Sequence, residues 1–365
     1  MERIKTRLRH LVKPRPNTDA MAEILDLIAP PLYVYTISYV VYFGYAYLID
    51  YHYGNSKPED TTAPLPRIWY FQKCFSLLIY IQMMANWIGI RFVNTSTNQN
   101  FTEGVRDRMK WNIDPILESN GFQKDKLKAE TSENGTVNRK KSNTKLSEEA
   151  IETSKPIIKK QTYWSWKPCF YCRLNAPPRC HHCSFCETCI LKRDHHCFFA
   201  GRCIGFHNQR HFVVFLMWAS FGTTYAMIHF VPYLYNIVLL EITGWDCFLP
   251  VAMYKLVTGQ LSLYYANLVI SFTLNLFFIF LSTAFLLEQF QLISEGITQF
   301  EQTKVDKRKL HILDPRPFGP KVKAVLGSQP LFTIVFPLAH WFYLPCDDPF
   351  MWPYHKITHT KIKTK

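Results

Sequence analysis

Four stretches of the chain carry almost no formal charge and are dense in aliphatic and aromatic residues. They run from Pro30-Pro31 to about Leu48, from about Ile68 to Ile90, from Phe212 to about Leu239 and from Ser262 to about Leu287. Each is long enough to cross a hydrocarbon core, which takes about 20 apolar residues in helical form. The pattern predicts four transmembrane helices; the competing reading is buried helices of a large soluble domain. Lys73 lies near one end of the second stretch, where its long stem can snorkel to the headgroups. An amphipathic piece, Met21 to Ile28, leads into Pro30-Pro31. His229, Asn267 and Asn275 interrupt the third and fourth stretches, either lining a cavity or hydrogen-bonding between helices.

The connections differ sharply in charge. The loops Asp50 to Pro66 and Glu241 to Gln260 are poor in Lys and Arg. The N-terminal tail (Arg3, Lys5, Arg7, Arg9, Lys13, Arg15), the central loop and the C-terminal region are rich in them. The positive-inside rule then puts both termini and the central loop in the cytosol, and an even number of spans agrees. Composition fits: a net charge of +14 accompanies 48% hydrophobic and 16% aromatic residues. The near-zero mean hydropathy of −0.08 averages over segregated blocks. The opening Met1-Glu2-Arg3-Ile4-Lys5 lacks the apolar core of a signal peptide.

Residues 118–160 are Lys-, Glu-, Ser-, Thr- and Asn-rich and too polar to bury a core, so they read as a disordered linker. Sequons at Asn94, Asn100 and Asn134 fall on the cytosolic side and should stay unmodified. The basic region after Lys304 suits anionic lipid or plain solvation. Its apolar run Leu331 to Leu344, broken by Pro and His, is expected to fold back onto the membrane surface. No internal repeat and no Gly-rich phosphate loop is evident. The expected organisation is a tail (1–30), two spans (31–92), a linker (93–160), a cysteine-rich domain (161–211), two spans (212–290) and a C-terminal region (291–365).

Seven of the eleven cysteines fall between Cys169 and Cys197, mostly two residues apart, within a basic loop. Such clustering indicates metal ligation by reduced thiolates rather than a disulfide framework. With Cys180 and Cys197 set aside, six cysteines remain at ligand-like spacings: 169, 172, 183, 186, 189 and 203. Two tetrahedral zinc ions need eight ligands, so two histidines must join them, giving two Cys3His sites and leaving Cys197 free.

Pro177-Pro178-Arg179, His182-Cys183, Asp194-His195-His196-Cys197 and Cys203-Ile204-Gly205 resemble, in order and spacing, the cysteine-rich domain of the Asp-His-His-Cys (DHHC) protein S-palmitoyltransferases. The likeness covers about Cys169 to Phe215, and the Gly201-Arg202-Cys203-Ile204-Gly205 wording resembles a divergent animal branch. It implies a membrane α-helical fold of four transmembrane helices, with a cytosolic cysteine-rich two-zinc domain between helices 2 and 3. It also implies one structural zinc on Cys169, Cys172, His182 and Cys189, and another on Cys183, Cys186, His196 and Cys203. Cys197 would be the nucleophile and carry the S-palmitoyl intermediate, His195 the general base, and Asp194 the group that orients His195. A histidine partner favours the thiolate form of a cysteine. The implied partners are palmitoyl-CoA, cytosolic-facing proteins with cysteines near the membrane, and membrane lipids; no nucleic acid is expected. The implied location is the Golgi or endoplasmic reticulum membrane.

The chain departs from the family pattern in four places. Phe198-Phe199 replaces Pro-Trp, and Arg202 replaces the usual Asn. Asn94-Thr95-Ser96-Thr97 stands where Asp-Pro-Gly is expected, and Thr298-Gln299-Phe300-Glu301 where Thr-Thr-x-Glu is. Those departures motivate a second reading, a non-catalytic zinc-stabilised membrane scaffold. A RING-like ubiquitin ligase is a third, but Cys197-x5-Cys203 lacks its closing Cys-x2-Cys. A DNA-binding zinc finger fails because the cluster lies between spans. Lys192, Arg193, Arg202 and Arg210 are candidates to meet CoA phosphates, or ordinary positive-inside charge. Cys180 and His181 are expected as an exposed pair, His207 and His211 as packing residues, and Cys346 as an acylation site or a surface thiol.

Overall fold

The computed structural model describes residues 19–54, 66–99, 101–111, 166–240, 242–304, 314, 316–336 and 347–350. The linker expectation, the sequons at Asn100 and Asn134, and Cys346 lie outside them.

Four helices are long and apolar enough to span a bilayer: Ala20–Tyr53, Arg67–Phe92, Gln209–Val238 and Leu263–Glu295. The first comprises α1 (Ala20–Phe43), a π-helical turn at Gly44–Leu48 and a last α-helical stretch at Ile49–Tyr53. The others are α2 (Arg67–Phe92), α4 (Gln209–Leu240) and α6 (Leu263–Glu295); α3 (Glu103–Met109) and α5 (Leu249–Val257) are short helices between them. At about 1.5 Å per residue, the 33 residues of α6 reach roughly 50 Å, well beyond the hydrocarbon core. Its C-terminal end carries Gln289, which reaches Asp194 of the cysteine-rich region.

α1 begins ten residues before Pro30, so the proline pair is not a boundary. The two prolines remove the N–H groups that would serve the carbonyls of Asp26 and Leu27. Neighbouring helices make that tolerable in a bundle. Lys73 does not snorkel either. Its side chain is buried, 2.9 Å from Asp50 and bonded to the Tyr45 carbonyl inside the π turn. The π turn spoils the regular ladder and leaves that carbonyl available to a second helix. Asn267 and Asn275 act as bridges between spans: the Tyr39 hydroxyl donates to Asn267 Oδ1 (2.9 Å), and Asn275 Nδ2 donates to the Thr223 carbonyl (3.1 Å). His229 meets the Tyr53 hydroxyl at 3.2 Å.

Between α3 and α4 lie three two-stranded antiparallel hairpins: β1 (Lys167–Cys169) with β2 (Leu174–Ala176), β3 (His181–Cys183) with β4 (Thr188–Ile190), and β5 (His195–Cys197) with β6 (Arg202–Ile204). They begin at residues 167, 181 and 195, fourteen apart, and share one register: Lys167 faces Ala176, His181 faces Ile190, His195 faces Ile204. Each turn ends on a residue of positive φ: Arg173 (48°), Glu187 (52°) and Gly201 (57°). The chain therefore carries a threefold repeat that the sequence reading missed. Only Cys169, Cys183 and Cys197 keep one residue type throughout those equivalent ligand positions; the second knuckle position reads Cys172, Cys186, Ala200. Backbone geometry, not side-chain identity, preserves the repeat.

The Asn94–Thr97 segment pairs with β4 through its backbone: Thr97 N–H donates to the Cys189 carbonyl (2.8 Å), and Leu191 N–H to the Thr95 carbonyl (3.0 Å). Such bonds do not depend on the side chains that differ from the family motif. At the C-terminal side, α8 (Phe318–Leu326) packs on α6, and α9 (Pro330–Val335) reaches the spans. The Trp218 indole donates to the Ile334 carbonyl at 2.8 Å, and Gln82 donates to the Val335 carbonyl. This part of the apolar run seats between α2 and α4 rather than only lying on a surface.

Candidate functional site

The hairpin repeat brings the predicted ligands into two groups. Cys169 and Cys172 of the first turn meet His182 and Cys189, which face each other across β3 and β4. Cys183 and Cys186 of the second turn meet His196 and Cys203, which face each other across β5 and β6. Within each group all candidate ligand atoms lie within 4.8 Å of one another. Zn–S and Zn–N bonds of about 2.3 and 2.05 Å at a tetrahedral angle put sulfur and nitrogen about 3.6 Å apart. His196 Nδ1 lies 3.6, 3.4 and 3.7 Å from Cys183, Cys186 and Cys203 Sγ, and His182 Nδ1 lies 3.2 Å from Cys172 Sγ. The donor sets and their spacing fit two zinc ions.

The third hairpin presents Asp194, His195 and Cys197 side by side. Asp194 is fully buried, and its carboxylate accepts from three directions: His195 Nδ1 at 2.9 Å, Gln289 Nε2 at 2.9 Å, and the Gln299 backbone N–H at 2.7 Å. Burial opposes its charge, but these donors outweigh that cost and hold its carboxyl below the usual range. Burial likewise works against a charged His195; hydrogen bonds to Asp194 and Cys197 prevail and push it up to about 9. Its ring stands edge-on to Phe212 at 4.9 Å.

Cys197, 8% exposed, lies against the hydrophobic cluster of Ile90, Ala200, Ile204, Phe212 and Leu216. Its thiol opens on a cavity of about 290 Å³ that runs between the four spans. Tyr33 and Ile37 of α1, Met83 and Trp87 of α2, Phe212 to Thr223 of α4 and Phe278 to Phe285 of α6 contribute to its wall. Phe198 and Phe199 line it too, so the pair that replaces Pro-Trp remains part of the apolar packing; Phe199 stands edge-on to Tyr33 at 6.0 Å.

The degraded Thr-Thr-x-Glu segment is intact where it matters physically. The segment begins at Thr298, just after α6 ends on Gly296, whose φ of 75° suits glycine and where a Cβ would meet Asp314. Thr298 N–H then donates to Glu301 Oε2 (2.8 Å) and Glu301 N–H to Thr298 Oγ1 (3.2 Å), a reciprocal cap for α7 (Gln299–Lys304). Glu301 also binds Arg179 through two contacts of 2.6 Å, both side chains being 2% exposed. At Gln299 the contact to Asp194 comes from the backbone N–H, so that bond does not depend on the side chain at this position.

Several expectations need correction. Cys180 is not exposed: it is 7% accessible and packs with Ala176, Cys189, Leu191 and Phe206. His181 lies half-buried on the Phe300 ring at 4.1 Å. The positive φ of Arg179 (61°) sends the following residues inward, while its own side chain reaches Glu301. Lys192 and Arg210 are buried, and Arg193 donates to the His182 carbonyl at 2.5 Å. His211 is buried, its Nδ1 3.2 Å from Asn86 Oδ1, as a packing role requires. Sequence reasoning missed Asp26, Gln289, Arg179 and the Gln299 backbone as neighbours of the site.

Four apolar spanning helices joined by a cysteine-rich region at residues 167–203, whose clusters fit zinc, define a membrane protein with a metal-stabilised domain between its second and third spans. Residues 163–306 match the DHHC palmitoyltransferase family. The matched segment reaches from the first hairpin to α7, so this part of the chain is a DHHC palmitoyltransferase-family domain.

Proposed function

We propose that this protein transfers palmitoyl from palmitoyl-CoA to cysteines of membrane-proximal proteins through an acyl thioester on Cys197. The observation that carries the reading is Cys197 in the wall of an apolar cavity, beside a histidine held by a buried carboxylate. An acyl chain in that cavity loses contact with water, which is worth about 0.8 kcal/mol per buried CH2.

Cys197 Sγ attacks the thioester carbonyl; the bond from carbonyl carbon to CoA sulfur breaks, and CoA leaves with the proton that His195 supplies. In the second half, the thiol of the acceptor protein gives its proton to His195 and attacks the acyl carbon, and Cys197 departs as thiolate. Asp194 keeps Nδ1 of His195 engaged, so the other nitrogen faces the sulfur. Zinc on Cys169, Cys172, His182 and Cys189, and on Cys183, Cys186, His196 and Cys203, fixes the hairpins; four protein ligands per ion leave no open position for Lewis-acid work. One thioester replaces another, so no energy cofactor is needed. The charge pattern supports a cytosolic position for the hairpin side, both termini and the acceptor proteins, and the family resemblance supports the Golgi or endoplasmic reticulum as the membrane. The same reading divides the chain into the tail, spans, linker, hairpin domain and C-terminal region set out above.

The test is labelling of the purified protein by a clickable palmitoyl-CoA. Wild type should carry a hydroxylamine-sensitive label that Cys197→Ser lacks. An unlabelled wild type holding two zinc ions per chain would instead support the non-catalytic scaffold.

A further inference from the structure

His196 has two ring nitrogens, and the structure uses both. Nδ1 faces the sulfurs of Cys183, Cys186 and Cys203; Nε2 lies 2.9 Å from Asp26 Oδ1. Asp26 sits in the second turn of α1, is 1% exposed, and comes from a residue 170 positions away. Phe185 stacks on the same imidazole at 4.8 Å and Phe198, itself 5.3 Å from Phe185, stands edge-on at 5.2 Å, so the ring is packed by two aromatics and engaged at both nitrogens. The other cluster is built differently. Tyr171 stacks on His182 at 4.8 Å, but among the described residues no side chain hydrogen-bonds its second nitrogen.

An acidic side chain buried at the end of a membrane span is costly unless a specific partner stabilises it. A carboxylate on the free N–H of a metal-bound histidine fixes the tautomer, orients the ring and strengthens its donation to the metal. We infer that Asp26 is a positioning residue: it locks His196 as an Nδ1 ligand and so fastens α1, which contributes Tyr33 and Ile37 to the cavity wall, to the hairpin that bears Cys197. The two metal sites are thereby unequal: among the described residues the second is braced by a side chain from a membrane span and the first is not. The inference rests on zinc occupancy of the clusters and not on acyl transfer.

The experiment follows release of zinc from the purified full-length protein to a chromophoric chelator, in wild type, Asp26→Asn and Asp26→Glu. The expected result is that Asp26→Asn releases one of the two zinc ions about 10- to 100-fold faster, with the other unchanged, and that Asp26→Glu restores part of the difference. Equal acceleration of both ions, or of neither, overturns the inference. Should Asp26→Asn fail to fold, a map of zinc-loaded wild type decides: separation of Asp26 from His196 Nε2 beyond hydrogen-bond reach overturns it. A wild type that holds no zinc overturns the metal assignment itself. One that holds two but takes no acyl label overturns only the proposed transfer.

Discussion

Ala219 stands part-way down the cavity wall, and replacing it with Phe should shorten the acyl chain the protein accepts. The wall on α4 runs from Phe212 to Thr223. At about 1.5 Å per residue this is roughly 16 Å of depth, of which the last 6 Å or so lies beyond residue 219. Each bond of an extended chain advances about 1.2 Å, so a ring at 219 closes off about five methylenes. Ala219 itself is buried against Tyr33, Ile37, Ile79 and Met83, which leaves the ring the cavity as its space. Five methylenes at about 0.8 kcal/mol amount to roughly 4 kcal/mol, an upper figure that corresponds to about a thousandfold change in preference. The assay is competition between palmitoyl-CoA and lauroyl-CoA for the hydroxylamine-sensitive label on Ala219→Phe and wild type. Retained labelling by the shorter donor shows that the variant folds. A palmitoyl-to-lauroyl preference within tenfold of wild type would refute the assignment of the cavity to the acyl chain.

Other outcomes follow from contacts around the same hairpins. Arg179→Ala leaves Glu301 charged and buried without its partner, a loss of about 3–5 kcal/mol; a thermal-stability measurement in detergent should show it, while Arg179→Met with Glu301→Leu loses far less. Gln289→Leu removes one donor from the Asp194 carboxylate, worth about 1.5–3 kcal/mol, and should slow acyl-enzyme formation roughly 10- to 100-fold with both zinc ions retained. Ala200→Cys rebuilds a Cys-x2-Cys pair at Cys197 and, with His195, supplies three metal donors. Metal analysis should find a third zinc and labelling should fail, whereas Ala200→Ser keeps two zinc ions and its label. Glycosidase treatment of protein made in microsomes should leave its mobility unchanged, because the proposed orientation puts the sequons at Asn94, Asn100 and Asn134 in the cytosol; a shift would reverse that orientation.

What the sequence disclosed is what depends on local pattern. Absence of charge over some twenty residues located the four spans, and two-residue spacings located the knuckles, because both properties belong to one short segment. What it hid depends on distant partners. Nothing around Asp26 announces His196, and nothing around Lys73 announces that a π turn twenty-eight positions back offers a carbonyl. Pro30-Pro31 looked like a helix start because proline is a boundary in water-soluble helices, yet a bundle supports it inside one. The family departures at Thr95–Thr97 and Gln299 weigh less than their wording suggests, since the backbone makes those contacts. Cys180 was misplaced because the left-handed bend at Arg179 has no signature beyond the Pro-Pro before it.

The shared register of the three hairpins has one more consequence. In the first two, the turn freezes a cysteine side chain in the pose that a metal demands. In the third, the same turn holds Cys197, and Ala200 stands where the other two turns carry their second cysteine. Ordering a flexible side chain before reaction normally costs entropy at the moment of attack. On the proposed mechanism folding itself has already settled that cost, and the sulfur arrives aimed.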